Sequence, residues 1–128
     1  MKRQSRKALD ADRRARRLVE AVYRCELCGH DPRRAKKGWV SWRLVCHEIS
    51  RGSFRQQTRG KRCACLVLCW HCHERIHAEG WDMARQLAIL KRSRPEDYDL
   101  PAFLKLICRG PNAITDAQVE AHRDGPAN

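Results

Sequence analysis

Two Cys-x-x-Cys pairs constrain this chain more than anything else in it: Cys25-Glu26-Leu27-Cys28, followed by Gly29, and Cys69-Trp70-His71-Cys72. Four thiolates presented as two knuckles can close around one tetrahedral zinc, and Gly29 gives the first knuckle the freedom to bend back on the metal. About forty residues separate the pairs, more than a compact zinc ribbon has, so a whole substructure must be inserted between them. Redox dithiols or disulfides are the other use of such pairs. A redox Cys-x-x-Cys needs no second copy, however, and nothing here resembles a secretory signal. Of the remaining cysteines, Cys46, Cys63 and Cys65 could in principle hold a second zinc, but the commoner fate of these and of Cys108 is a buried, small apolar position.

The second knuckle runs straight into two histidines, His73 and His77, within the stretch LCWHCHERIH at 68–77. On a helix each residue advances about 100°, which puts the two cysteines on one flank and the two histidines on another, roughly a quarter turn away. One ion cannot easily take all four from so short a segment. The histidine pair therefore addresses a second ion and needs a partner from elsewhere. His47 and Glu48 fall at the end of the first predicted strand, just before Ile49 and a turn-forming Ser50-Arg51-Gly52. A hairpin folded onto the helix would bring them to His73 and His77, holding a metal from one side with positions left open. Hydrolytic metal catalysis requires such open positions.

Length and charge frame these sites. A chain of 128 residues is one domain's worth, and its formal charge is +12. Zinc held by four thiolates lowers that only to about +10, so a polyanionic partner is expected, most simply nucleic acid, with binding that weakens as salt rises. The candidate phosphate contacts are Arg33, Arg34, Lys36 and Lys37 in the loop after the first knuckle, and Arg51, Arg55 and Arg59 in 50–62, which reads as a basic hairpin loop. No apolar run is long enough for a membrane helix.

The expected organisation is a small α+β, zinc-stabilised domain. Residues 1–24 form a basic amphipathic helix or arm, its alanine-rich first half loosely docked and its second half, from Leu18, packed on the domain. Residues 25–80 form the zinc-bound core: a strand at 39–46, a second at 63–68, and a helix ended by Gly80. Residues 81–123 supply accessory helices that cover it. One contains Trp81, Ala84, Leu87 and Ala88, one starts at Pro101, and one is opened by the capping box Thr115-Asp116-Ala117-Gln118; 124–128 is a disordered tail.

With CELCG at 25–29, HEISRG at 47–52 and LCWHCHERIH at 68–77 in this order, the chain resembles the HNH endonuclease family over residues 25–77. The resemblance implies a ββα-metal finger in which Cys25, Cys28, Cys69 and Cys72 bind structural zinc while His73 and His77 face a catalytic divalent metal. It implies cleavage of phosphodiester bonds in DNA, by nicking or double-strand scission. The family's occurrence in phages suggests an intracellular setting in a bacterial or phage-infected cell, and a larger DNA-processing or packaging complex as partner.

Two departures stand out. Where the family has an asparagine before its second Leu-Cys element, this chain has Ala64 or Cys65. Registering on Ile49 also puts Glu48 where the family has its general base and His47 at a metal position. Two arrangements remain open. In one, favoured by the match of imidazole basicity to neutral pH, His47 is the base, and His73 and His77, with Glu48, hold an ion such as manganese or magnesium. In the other, three imidazoles hold zinc or nickel and Glu48 positions the water. Both make His47, Glu48 and His73 catalytic, with Arg51 or Arg55 stabilising the transition-state charge. The rival reading is a non-catalytic zinc module that grips nucleic acid through its basic surface.

Overall fold

A computed structural model describes residues 5–34, 43–50 and 54–123. The chain enters through α1 (Arg6–Val22), capped by the Ser5 hydroxyl, which accepts from the Ala8 N–H. The first knuckle and a 3₁₀ turn at Pro32–Arg34 follow. Two antiparallel strands, β1 (Leu44–Glu48) and β2 (Cys65–Cys69), pair with His47 opposite Leu66 and Glu48 opposite Cys65. The predicted first strand at 39–46 thus lies partly outside the described residues, and its visible part runs on to Glu48.

Both faces of this hairpin are covered, which explains why β2 is apolar at every position and buried throughout. Leu66 and Leu68 enter the main core with Ile76, Leu87, Leu90 and Phe103. Cys65 and Val67 face the other way and pack with Leu18, Val19 and Val22 of α1. Such alternation across a strand forces neighbouring residues to opposite sides, a rule that decides the fate of His47 and Glu48 below.

Within 50–62 the chain folds a short helix, α2 (Arg55–Thr58), where composition suggests only a loop. Tertiary contacts supply what local propensity lacks. The Thr58 hydroxyl donates to the Phe54 carbonyl, and the Arg14 guanidinium of α1 donates to the carbonyls of Gln56 and Arg59, which a helix end leaves unpaired. The same contacts seat the first half of α1. Ala11 and Ala15 are 1% and 3% exposed, so the alanine stretch of α1 expected to be loosely docked is packed on the domain at these two positions. Its alanines permit close approach: a Cβ built at Gly60 would stand 2.3 Å from the Ala15 nitrogen, and Gly60 adopts φ +77°. Gly60→Ala should therefore destabilise the fold by about 2 kcal/mol or more, combining left-handed strain with displacement of α1. Urea denaturation measures this, and a loss under about 0.5 kcal/mol would mean that α1 yields freely.

α3 (Trp70–Glu79) starts directly from β2. Cys69 is its N-cap, its sulfur accepting from the Cys72 N–H, and Gly80 ends it at φ 62°. α4 (Met83–Ser93) is capped by Asp82, and α5 (Leu100–Leu106) by Asp99 with Pro101 in its first turn. α6 (Asp116–Glu120) has the full reciprocal capping box between Thr115 and Gln118. The result is a small α+β unit, a two-stranded sheet wrapped by helices. Among the described residues no helix is long and apolar enough to cross a membrane.

Candidate functional site

Cys25, Cys28, Cys69 and Cys72 converge with all four sulfurs within 4.8 Å of one another. Sulfurs set about 2.3 Å from a common tetrahedral centre stand about 3.8 Å apart, and the Cys28 and Cys69 Sγ atoms are 3.8 Å apart. Each knuckle also turns its last backbone N–H onto its first sulfur, Cys28 N–H to Cys25 and Cys72 N–H to Cys69, both at 3.5 Å. Gly29, at φ 82°, makes the tight return. Electrostatics point the same way. The Cys72 thiol donating to Cys25 draws Cys25 down to about 4, Cys72 rises in consequence, and burial pushes Cys28 up to about 11. Four sulfurs this close cannot all ionise without a cation between them. The quartet is suited to a structural metal, and its donor chemistry is that of zinc.

The second cluster is made of imidazoles. His73 and His77, one helical turn apart, have ring centroids 4.5 Å apart, and His47 of β1 lies 5.1 and 5.5 Å from them. A ring nitrogen from each comes within 4.8 Å of the other two, and the Nδ1 atoms of His47 and His73 are 3.1 Å apart. Imidazole nitrogens about 2.0–2.1 Å from one tetrahedral ion stand about 3.4 Å apart, so the set fits a single divalent ion. His47 is buried, His73 half-buried and His77 exposed, which leaves one side of the cluster open to solvent. Burial pulls the pKa of His47 from 6.5 down to about 4, so the ring is neutral at pH 7, the form in which it can ligate.

Glu48 does not join this cluster. As the strand neighbour of His47 it points to the opposite face, where its carboxylate accepts from the Arg59 guanidinium at 3.0 Å. Arg59 also donates to Asp12 of α1 at 2.9 Å. It is thereby committed to bridging β1 and α1, a tighter tie than the open phosphate contact its sequence position suggests. Arg33 is fixed to Asp31 by two side-chain bonds and lies over the Tyr23 ring at 4.4 Å, yet remains mostly exposed, as does Arg34. Lys36, Lys37 and Arg51 lie outside the described residues, and Arg55 is placed only as the first residue of α2.

The other cysteines do not form a third metal cluster among the described residues. Cys65 is buried, Cys46 and Cys63 are partly so, and Cys108, expected inside, is exposed just past the end of α5, at φ 56°. One polar residue near the histidines is not singled out by motif: Gln86 of α4, 2% exposed, whose side-chain oxygen lies 2.6 Å from His47 Nε2. A readable signal exists, since α4 is buried from Gln86 through Leu90 and Gln86 is the one polar side chain in that run, at helical spacing from Leu90 and the partly buried Met83. Trp70, 46% exposed, has its ring 5.2 Å from that of His73. No protein-family model, curated protein or solved structure matches this chain.

Proposed function

We propose that the protein is a metal-dependent endonuclease that hydrolyses phosphodiester bonds in DNA, with β1, β2 and α3 as a ββα-metal core of the HNH type. The observation that carries the reading is the convergence of His47 of β1 with His73 and His77 of α3, the last of them exposed, in a chain whose four-cysteine cluster ties the first knuckle to the end of β2 and the start of α3. A divalent ion there would supply Lewis-acid polarisation of a phosphoryl oxygen and a lowered pKa for a coordinated water. All three imidazoles are assigned as ligands, which favours zinc or nickel over magnesium. His47 is thus removed from the role of general base, because its buried ring aims Nδ1 at His73. Glu48, held by Arg59, is assigned to bracing β1 against α1. Exposed Arg33 and Arg34, with the formal charge of +12, favour a polyanionic substrate.

Supercoiled plasmid incubated with the zinc-loaded protein and added zinc, nickel, manganese or magnesium should be nicked or linearised. His73→Ala should lower cleavage by more than about 100-fold, beyond the range typical of losing a mere outer-sphere partner. Wild-type rates in His73→Ala would overturn the assignment. A protein that binds DNA, holds one zinc and cuts none of these substrates would be the non-catalytic zinc module. Chelation alone does not discriminate, because stripping the cysteine site removes folding energy too.

A further inference from the structure

We infer that Gln86 is a positioning residue that locks His47 as its Nε2–H tautomer, so that the Nδ1 lone pair is aimed at the ion position between His73 and His77. This rests on the metal-centre reading above and adds to it the residue that fixes the third ligand. The amide of Gln86 has one possible orientation. Its Nε2 donates to the Trp81 carbonyl at 2.9 Å, so its Oε1 must be the atom facing His47. An amide oxygen can only accept, hence His47 Nε2 carries the proton and Nδ1 is left with its lone pair. Nδ1 is the atom that stands 3.1 Å from His73 Nδ1.

Both partners are buried, His47 at 1% and Gln86 at 2% exposure, so no water competes for the bond and neither ring nor amide can turn without leaving a buried polar atom unpaired. The linkage also closes on itself. Trp81 follows the Gly80 cap, and its own N–H donates to the Ile76 carbonyl in the helix that bears His73 and His77. The end of α3 thus sets Trp81, Trp81 orients Gln86, and Gln86 orients the histidine that faces α3 from the sheet. A ligand rotated or tautomerised away from the ion would break that circuit. An apolar residue, the norm on the inward stripe of a helix, could fill the space but could not choose between the two nitrogens.

The test uses the 128-residue chain with zinc in the cysteine site and the histidine site free, ¹⁵N-labelled and read by long-range proton–nitrogen correlation, followed by titration with cobalt(II). Wild-type His47 should show the Nε2–H pattern. Gln86→Leu should lose it and bind cobalt about 10–100-fold more weakly, while Gln86→Glu, which keeps the acceptor for His47 but gives up the donor to the Trp81 carbonyl, should keep the Nε2-bound proton and recover only part of the cobalt affinity. A Nδ1–H pattern in the wild type overturns the inference even if Gln86→Leu fails to fold, and so does a folded Gln86→Leu with unaltered tautomer and cobalt affinity. If the wild type takes up no cobalt at the histidines, the metal-centre reading fails, whereas the tautomer measured in the same sample still decides the role of Gln86.

Discussion

Cys72→Ser should abolish cooperative folding and leave the cysteine quartet unable to retain a zinc ion. A structural zinc in a four-cysteine site contributes apparent binding energy of about 10–16 kcal/mol at neutral pH, which is as large as the whole stability of an ordinary domain at about 5–15 kcal/mol. The quartet draws the first knuckle, the end of β2 and the start of α3 onto one point. Cys25 and Cys28 belong to the knuckle after α1, Cys69 ends β2 and caps α3, and Cys72 lies in the first turn of α3. Removing one thiolate leaves three sulfurs crowded within 4.8 Å and no closed site. Zinc counting by atomic emission together with thermal melts followed by circular dichroism measures both losses. Exposed Cys108, outside the cluster, provides the comparison, and Cys108→Ser should change stability by no more than about 0.5 kcal/mol. A Cys72→Ser protein that melts cooperatively and at the wild-type temperature in the presence of chelator would show that the four sulfurs do not bind a structural metal.

Which parts of this molecule could be read from its residues follows from how local each signal is. The knuckles, the Gly80 stop and the Thr115–Gln118 box are decided within a few residues, and each appears where its chemistry requires it. Meeting of the histidines is a longer-range inference that succeeded in part, because strand alternation splits His47 from Glu48. A reading that moves both to the helix ignores that neighbours on a strand face opposite ways. Arg59 has partners that its sequence position does not announce. A basic residue in a basic segment reads as a phosphate contact, but its position beneath α1 gives it Asp12 and Glu48 as partners. The docking of α1 and the formation of α2 depend on Gly60, Arg14 and Ala15 meeting across more than forty positions, a contact with no periodicity to announce it. Gln86 is legible only as an exception, a polar side chain on an apolar stripe, and its partner is known once β1 and α4 are in place.

Arg94→Met should cost about 3–5 kcal/mol, because it strands a buried carboxylate inside the first knuckle. Glu26, between Cys25 and Cys28, is 1% exposed and is held by Arg94 through Nε at 2.7 Å and Nη2 at 3.3 Å. The same guanidinium donates to Asp97 and to the carbonyls of Arg62 and Cys65, so one side chain fastens α4 to the knuckle and to β2. Glu26 in turn accepts from the Val67 N–H at 2.7 Å and from the Ser93 hydroxyl at 2.8 Å. Had the ion pair been merely an exposed one, its loss would cost at most about 1 kcal/mol. Adding Glu26→Leu to Arg94→Met removes the stranded charge, but it leaves the Val67 N–H without its partner, an unpaired buried donor worth about 1–3 kcal/mol. The double variant should therefore recover part of the loss and not all of it. Urea denaturation of the two single variants and the double one gives the coupling directly. Strictly additive losses would mean that the carboxylate and the guanidinium stabilise the knuckle independently. A loss below about 1 kcal/mol in Arg94→Met alone would mean that the four cysteines hold this corner without the pair.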